Sequence, residues 1–385
     1  MDLSLTEEQQ MICETARQFA ASELAPLAAK LDQTGDRQAF LKNLSKLAQL
    51  GFMGLNIDSR YGGSEAGCIA FSLAITELAR ACAATAVTVS VTNMVAEVIQ
   101  AKASEAQKQR YLPKLCNGEY PAGGFCLTEA GAGSDPAAMR TSAVRDGDTW
   151  VLNGSKLFIT SAEYAGLFVV WAVTDREAAK GKGISCFLVE RDAPGLTIGG
   201  PEKKMGQHAS STTEVVFQDC RIPVNALMGE LNQGFSIAVG ELAGGRIGIG
   251  SLALGIGLAA IDYARQYSTE RRQFGQRIAD FQGIQWQLAD TYTDLEAARL
   301  LLMNAAWTKQ SGQPFSRQAS MAKLFASEKA NRACYTALQL LGGAGYLRDH
   351  PLERYARDVR ITSIYEGTSE IQRIIIAREL LKQVN

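Results

Sequence analysis

A lone carboxylate near the C-terminus is the best candidate for a catalytic base. Glu366 lies between an aromatic residue, Tyr365, and a glycine, Gly367. Burial disfavours the charged form of a carboxylate and can raise its pKa by up to about 3–5 units, which makes it a stronger base. The glycine then allows a substrate to come close to the backbone. The same pattern also fits a helix N-terminus in which Thr368 or Ser369 is the cap and Glu366 has no chemical role.

A glycine-rich segment, Thr128–Asp135, is the second candidate. Its residues are small, two of them are glycines, and hydroxyl groups lie near both ends. Such a loop can wrap its backbone N–H groups around an electron-rich ligand, although ordinary surface turns have the same composition. The two segments lie about 230 residues apart, and their joint occurrence favours function over coincidence.

Further blocks along the whole chain carry a family resemblance. The blocks, whose order and spacing are specific, are Phe125–Asp135, Phe158–Thr160, Gly245–Ile249, Glu270–Gly275, Gln339–Tyr346 and Ile364–Arg373. With them the chain resembles the acyl-CoA dehydrogenases, most of all their short-chain and short branched-chain members.

The resemblance implies a fold, a cofactor and a reaction. The fold would be α+β and multidomain, with an N-terminal helical domain, a central β-barrel-like domain, a C-terminal four-helix bundle, and FAD between them. The reaction would be α,β-desaturation of an acyl-CoA to the trans-2-enoyl-CoA, in which Glu366 removes the α-proton while a hydride leaves Cβ for flavin N5. The family's less common location for the base corresponds to Gly245, so Glu366 is left as the only matching base.

The resemblance also assigns residues to both ligands. It implies that FAD is bound by Phe125, Cys126, Leu127, Thr128, Gly133, Ser134, Phe158, Ile159, Thr160, Arg271, Phe274, Gln282, Gln339, Gly342, Gly343, Thr368 and Glu370. It implies that the acyl-CoA is bound by Ser134, Gly245, Arg246, Tyr365 and Gly367. The stretch around Gln339 would come from a neighbouring subunit, so a homodimer is the minimum and a homotetramer, a dimer of dimers, is expected.

Three positions depart from the family pattern. His208 stands where many relatives have arginine, Ala243 replaces a polar residue that some use near the CoA adenine, and Glu370 is glutamine in some members. These departures bear on CoA binding more than on the chemistry. His208 has the residue type of a catalytic group, but an exposed or hydrogen-bonded histidine is the more common case.

The overall composition excludes several classes of function. The 39 lysines and arginines nearly balance 40 aspartates and glutamates, so no global field attracts nucleic acid or an anionic membrane. The eight cysteines form no Cys-x-x-Cys pair and only two histidines are present, so neither a disulfide framework nor a metal site is predicted. The acidic N-terminus lacks a targeting signal, which predicts a cytoplasmic protein. The apolar run Ile247–Ile261 is shorter than the ~20 residues that span a bilayer, and it predicts a buried helix.

The elements that must position these residues fall into three regions, because the chain exceeds the ~250–300 residues at which one core stops growing. Residues 1–119 have helical periodicity, beginning with a capping box at Thr6. Residues 120–230 contain short β-branched and aromatic segments, and Asp146-Gly147 is typical of a hairpin turn. Residues 231–385 return to helical periodicity up to the end, which predicts a helical bundle.

The last region is predicted to contain long helices and one unusual stretch. Apolar residues repeat at helical spacing over Leu288–Ala306, and Met321–Leu340 has a similar pattern. Glu241–Gly257 contradicts local propensity, because each of its glycines costs about 1 kcal/mol against alanine inside a helix. Tight packing explains most of the stretch, whereas a ligand passing along the backbone is favoured near Gly244–Arg246.

Other interpretations of the function stay open. An acyl-CoA oxidase or another oxygen-using flavoenzyme of this fold shares the base and the flavin, whereas a dehydrogenase passes its electrons to an electron-transferring flavoprotein. A non-catalytic helical scaffold is opposed by the intact Glu366, Gly131–Ser134 and Arg271. The Gly245–Ile249 block favours acyl groups of about four to six carbons, although one methylene is worth only ~1–3 kcal/mol.

Overall fold

The structure is a computed structural model that describes residues 4–382. Six helices come first: α1 Glu7–Phe19, α2 Ala25–Thr34, α3 Arg37–Gln49, α4 Gly67–Ala81, α5 Ala83–Lys102 and α6 Glu105–Cys116. Eight strands follow: β1 Gly123–Cys126, β2 Ser142–Asp146, β3 Thr149–Thr160, β4 Leu167–Val173, β5 Ile184–Glu190, β6 Leu196–Ile198, β7 Thr212–Pro223 and β8 Leu227–Met228. The last region contains α7 Gly234–Glu270, β9 Arg272–Gln273, β10 Gln276–Arg277, α8 Gln282–Gln310, α9 Ser316–Leu341, α10 Leu352–Arg360 and α11 Ser369–Leu381.

The first helix begins where the sequence predicts. The hydroxyl of Thr6 accepts a hydrogen bond from the backbone N–H of Gln9 (3.2 Å), and the Gln9 side chain accepts one from the Thr6 N–H (3.1 Å), so the predicted capping box is confirmed. A single extended residue, Cys82 (φ −148°), separates α4 from α5. The sequence pattern does not reveal this break, because the residues around it are all small and helix-compatible.

The central region is one eight-stranded sheet in the order β6-β7-β3-β2-β4-β5-β8, and β1 pairs in parallel with β4. The predicted hairpin is confirmed, since Asp146 pairs with Thr149 across a tight turn in which Gly147 has a φ of 59°. The buried strand β4 carries β1 on one edge, and β1 leads directly into the Thr128–Asp135 segment.

The long helix α7 lies at the centre of the C-terminal region. It packs against α8 and α9 within that region and against α4 and α5 of the N-terminal region, while α11 packs against α9. Among the described residues it alone is long and apolar enough to cross a membrane by length and composition, but 83% of its most apolar window is buried inside the protein. The predicted buried helix Ile247–Ile261 is therefore confirmed. Neighbouring helices pack around this segment of α7, which explains why it is apolar on all sides.

One prediction for this region is wrong. The helical pattern does not persist to the end of the chain, because the short hairpin β9–β10 interrupts it directly after α7. Two glutamines and two arginines form its paired positions, so no alternation of apolar and polar residues marks it. The predicted helices around Leu288–Ala306 and Met321–Leu340 are confirmed as α8 and α9.

Candidate active site

The turn that carries Glu366 lies between a short 3-10 helix, Ile361–Ser363, and α11. Glu366 has a φ of 54° and Gly367 a φ of 94°, so two consecutive residues adopt the left-handed conformation. This conformation is ordinary for glycine but costly for a residue with a side chain, and such outliers cluster at active sites. Thr368 is the N-cap of α11 and accepts a hydrogen bond from the backbone N–H of Ile371 (3.4 Å). Glu366 therefore lies just outside the helix that follows it.

The carboxylate of Glu366 is desolvated, as the sequence predicts. Its Oε2 atom is shielded from solvent and has no hydrogen-bond partner within the described chain. Burial raises the pKa of Glu366 from 4.5 to about 7, against the opposite effect of the Lys323 and Arg246 cations. A carboxylate with that pKa is partly ionised at neutral pH and is a much stronger base than an exposed one.

The helix α7 makes room for this carboxylate at Gly245. A Cβ atom there would collide with Oε2 of Glu366 and would lie 2.7 Å from Sδ of Met94. At Gly244 a Cβ would lie 2.9 Å from the ammonium of Lys309. Farther along the helix, a Cβ at Gly255 would collide with the backbone of α4. Close packing therefore accounts for the glycines that the sequence pattern marks as unusual, and at Gly245 the close neighbour is the candidate base.

Two buried cations lie next to the base. Arg246 is buried, its Nη1 donates weakly to the hydroxyl of Ser320 (3.4 Å), and its Nε has no partner within the described chain. Lys323, on α9, is fully buried and donates through Nζ to the carbonyl oxygen of Gly367 (2.8 Å). Burial lowers the pKa of Arg246, and it lowers the pKa of Lys323 to about 8.

The sequence pattern does not single out Lys323, and a signal for it exists. Ala319, Ala322 and Ala326 of α9 are buried, and Lys323 falls on the same face. A lysine at helical spacing among small buried residues contradicts the expectation that charged side chains point to solvent. Gln372, which donates to the carbonyl oxygen of Gly367 (2.9 Å), is a second contact that the pattern does not reveal.

The glycine-rich segment is anchored by a buried ion pair. Lys156 is fully buried, and its Nζ donates to the carboxylate of Glu129 (2.7 Å) and to the carbonyl oxygen of Leu127 (3.3 Å). Glu129 also accepts hydrogen bonds from the backbone N–H groups of Arg140 (2.6 Å) and Thr141 (3.0 Å). These hydrogen bonds tie Glu129 to β3 and to the backbone at residues 140–141. They therefore fix the start of the segment, from which its exposed residues follow.

The two stretches assigned to the flavin lie side by side. The backbone N–H of Leu157 donates to the carbonyl oxygen of Thr128 (2.8 Å). A bulge in β3 follows, at which Phe158 adopts a φ of 58° and leaves its side chain 63% exposed. Bulges re-aim side chains, and a bulky residue in the left-handed region is uncommon. Thr160 is partly exposed two residues later.

Several assigned residues offer only their backbone to a ligand. The side chains of Cys126 and Ile159 are buried in the core between the strands, and Leu127 is buried in the neighbouring core. Phe125 is partly exposed, and Gly133 and Ser134 are exposed. A Cβ atom at Gly133 would meet nothing within 4 Å, so the backbone there is open to a ligand.

Tyr365 and His208 are held by a second set of contacts. The hydroxyl of Tyr365 accepts a hydrogen bond from the side chain of Gln207 (3.3 Å), and burial raises the pKa of Tyr365. The ring of His208 bonds to the carbonyl oxygens of Asp32 (2.8 Å) and Lys204 (2.9 Å). His208 is thus a hydrogen-bonded histidine between two segments, the more common of the two cases foreseen for it.

A third group of assigned residues lies far from the base within one chain. Arg271 directly follows the last residue of α7, about 38 Å along the helix axis from Arg246 at 1.5 Å per residue, and Phe274 lies in the hairpin beyond it. They and Gln282 are exposed, as are Gln339, Gly342 and Gly343 at the end of α9. Glu370 is exposed in the first turn of α11, and a hydrogen bond from the backbone lowers its pKa. The structure therefore gathers Glu366, Gly245, Arg246, Tyr365 and Gly367, and it leaves this third group of FAD residues apart from them.

Three family descriptions match successive parts of the chain. They are "Acyl-CoA dehydrogenase, N-terminal domain" over residues 6–119, "Acyl-CoA dehydrogenase, middle domain" over 124–220, and "Acyl-CoA dehydrogenase, C-terminal domain" over 232–381. The chain belongs to the acyl-CoA dehydrogenase family. The predicted family and the predicted fold class are thereby confirmed, while the domain limits at 119/120 and 230/231 stay a prediction.

Individual members of the acyl-CoA dehydrogenase family are similar over their whole length. The short-chain specific acyl-CoA dehydrogenase of Clostridium acetobutylicum is 44% identical, over 99% of this chain and 100% of the relative. The NADH-dependent acryloyl-CoA reductase of Anaerotignum propionicum is 45% identical, over 100% of this chain and 97% of the relative. The solved structure of butyryl-CoA dehydrogenase from Megasphaera elsdenii is 40% identical with a TM-score of 0.95, over 99% of this chain and 100% of that one.

Proposed function

We propose that this protein is an FAD-dependent acyl-CoA dehydrogenase that converts a short or short branched acyl-CoA to the trans-2-enoyl-CoA. The observation that carries the proposal is the Glu366 carboxylate, whose Oε2 is shielded from solvent and lacks a partner within the described chain and whose pKa is raised to about 7. The similarity to short-chain and butyryl-CoA dehydrogenases supports the short acyl group.

Glu366 is the proposed base for the α-proton of the thioester. Its Oε2 accepts no hydrogen bond from the described chain, so a lone pair is available for the incoming proton. General base catalysis of this kind contributes about 10²–10⁴-fold. The backbone N–H of Glu366 is proposed to donate to the thioester oxygen, a contact whose loss costs about 2.7–4 kcal/mol of transition-state stabilisation.

The residues around the base fit a thioester. Gly245 keeps the space next to Oε2 of Glu366 free of side-chain bulk, and the hydroxyl of Tyr365 accepts a hydrogen bond from Gln207. The buried guanidinium of Arg246 interacts electrostatically with the Glu366 carboxylate, and it is proposed to favour the negative charge that develops in the reaction. Ser134, exposed at the end of the glycine-rich segment, is proposed to contact the CoA portion.

Two adjoining stretches of the β region fit the flavin ring. Phe125–Thr128 and Phe158–Thr160 are joined by a backbone hydrogen bond, and the bulge presents the ring of Phe158 to the outside. Thr368 and Glu370, at the start of α11, complete the proposed set on the side of the base. FAD bound there supplies the acceptor for the hydride that leaves Cβ.

The cofactor site is proposed to be completed by a second copy of the chain. Arg271 lies about 38 Å along the helix axis from Arg246, the neighbour of the base, so one FAD is not expected to contact both places within a single chain. Arginine's planar fork suits the diphosphate of FAD, with Phe274 and Gln282 beside it. Phe274 is 94% exposed and Tyr346, in the Gln339–Tyr346 block, is 82% exposed, as expected for residues that are buried between subunits. A homotetramer, built as a dimer of dimers, is the proposed assembly.

The proposed electron acceptor is an electron-transferring flavoprotein. An oxidase of the same fold would share Glu366 and differ in rapid flavin reoxidation by oxygen. The similarity to acryloyl-CoA reductase supports a second candidate, the reduction of a short enoyl-CoA, in which Glu366 would donate the proton instead. A pKa near 7 leaves both protonation states populated at neutral pH.

The test is anaerobic mixing of the purified FAD-loaded protein with a panel of straight, branched and cyclic acyl-CoA thioesters. Bleaching of the flavin by the butyryl thioester, with trans-2-enoyl-CoA as the product, is the expected result. Absence of bleaching with every thioester contradicts the proposal. Rapid reoxidation in air favours the oxidase, and reduction of acryloyl-CoA by NADH faster than butyryl-CoA oxidation favours the second candidate.

A further inference from the structure

Lys323 is a buried charge whose presence packing alone does not explain. The side chain is fully buried among the alanines of α9, beneath Gly250 of α7. Burial lowers the pKa of Lys323 to about 8, so holding the ammonium charged there costs free energy. Replacing buried charges by apolar residues of similar volume is often neutral or stabilising. A buried lysine at this place therefore indicates a role that requires its charge or its hydrogen bonds, which an apolar side chain of similar volume, such as methionine, does not provide.

The first contact of Lys323 is with the turn that carries the base. Its Nζ donates to the carbonyl oxygen of Gly367 (2.8 Å). Gln372 donates to the same oxygen (2.9 Å) and to the carbonyl oxygen of Glu366 (3.2 Å). The left-handed backbone at Glu366 costs about 1–3 kcal/mol and persists only where its surroundings hold it. Lys323 and Gln372 thus both donate hydrogen bonds to the backbone of this turn.

The second effect of Lys323 is electrostatic, and Gln372 does not share it. The charges that act on the Glu366 carboxylate are those of Lys323 on α9 and Arg246 on α7, and Tyr365 lies beside it in the turn. Lys323 itself also interacts with Glu370 of α11 and Glu328 of α9. Of the two cations, Lys323 has the larger effect on the Glu366 carboxylate. Lys323 and Gln372 thus bind the same carbonyl oxygen, but one is charged and the other neutral.

We propose that Lys323 is a positioning residue for the base, whose ammonium anchors the Glu366–Gly367 turn and supplies the positive charge that keeps the desolvated carboxylate ionised. The proposal rests on the proposed role of Glu366 in the reaction. It assigns Lys323 no contact with substrate or cofactor. Gln372 is the matched case, since it anchors the same turn without contributing charge.

The experiment compares Lys323→Met with Gln372→Leu in the FAD-loaded protein. The ionisation of Glu366 is followed without substrate by the infrared band of its protonated carboxyl group, identified by its loss in Glu366→Gln. The pH dependence of flavin bleaching by butyryl-CoA is measured beside it. If none of the acyl-CoA thioesters bleaches the flavin of the wild-type protein, the proposed function fails. The infrared titration of Glu366 needs no substrate and still tests the role of Lys323.

The expected result is a displacement of the titration midpoint in one variant only. Lys323→Met raises the midpoint of Glu366 by about one pH unit or more, the size expected for removal of a nearby opposite charge. Bleaching then falls about tenfold at pH 6 and changes little at pH 9, where a shifted midpoint has little effect on the ionised fraction. Gln372→Leu lowers the bleaching rate by one constant factor at all pH values and leaves the titration midpoint of Glu366 unchanged.

Two outcomes overturn the proposal. One is an unchanged midpoint in Lys323→Met, which reduces Lys323 to a structural anchor. The other is an equal displacement in Gln372→Leu, which shows that loosening the turn, and not the charge, moves the midpoint. Should Lys323→Met fail to fold, Lys323→Gln keeps a donor for Gly367 and removes the charge; the same rise is expected there, and a wild-type midpoint in that variant refutes the charge effect.

Discussion

Replacing the candidate base by its neutral isostere, Glu366→Gln, is expected to stabilise the protein at high pH but not at low pH. The folded-state pKa of Glu366 is raised from 4.5 to about 7, so between these values the folded protein binds its proton more tightly than the unfolded chain does. The free energy of unfolding of wild type therefore falls as pH rises through this window. At about 1.36 kcal/mol per pH unit, the full effect is about 3 kcal/mol above pH 7.

The assay is denaturant unfolding of FAD-loaded wild type and Glu366→Gln at pH 5 and pH 8, with the FAD concentration held constant because bound ligand adds its own stabilisation. The variant's advantage is expected to be larger at pH 8 by up to about 3 kcal/mol. Glu296→Gln, at an exposed acid whose pKa is lowered by its hydrogen bond to Arg299, is the control and is expected to show no such gain. An advantage of Glu366→Gln that is equal at both pH values refutes the reasoning that the carboxylate is desolvated.

Three further experiments test the surroundings of the site. Gly245→Ala is expected to slow flavin bleaching about 10²-fold, because the added methyl group displaces the base by about 1 Å. Its control is Gly240→Ala, where the added methyl group meets open space. This control is expected to leave bleaching unchanged and to stabilise the helix. Phe158→Gly is expected to weaken FAD binding about tenfold, by about 1.4 kcal/mol, as measured by titration with FAD. Unfolding of the apoprotein is expected to show no loss of stability, because glycine adopts the left-handed backbone at this position without strain. Lys156→Met is expected to cost about 3–5 kcal/mol in denaturant unfolding, and Lys156→Met combined with Glu129→Leu is expected to recover most of it.

Local patterns predict most of the elements. The capping box at Thr6, the hairpin at Gly147 and the helix α8 follow from short-range rules, because a cap, a two-residue turn and a repeating apolar face are each encoded within a few residues. The break at Cys82 and the hairpin β9–β10 do not follow. One has helix-compatible neighbours on both sides, and the other is too short and polar to show a strand period.

The site divides in the same way. Glu366 and Gly245 can be predicted because their residue types and neighbours are distinctive, and the structure places them in contact. Lys323 and Gln372 cannot, since a lysine and a glutamine on a helix are ordinary until the tertiary packing shows that they point inward. The Lys156–Glu129 pair joins residues that are far apart in sequence, and only the folded sheet brings them together.

The central claim, that Glu366 removes the α-proton, is tested most directly by anaerobic stopped-flow bleaching of the flavin with butyryl-CoA in wild type and Glu366→Gln. Both proteins are expected to carry the same oxidised flavin spectrum, and the variant is expected to bleach slower by about 10²–10⁴-fold or more. Bleaching of Glu366→Gln at the wild-type rate would contradict the account.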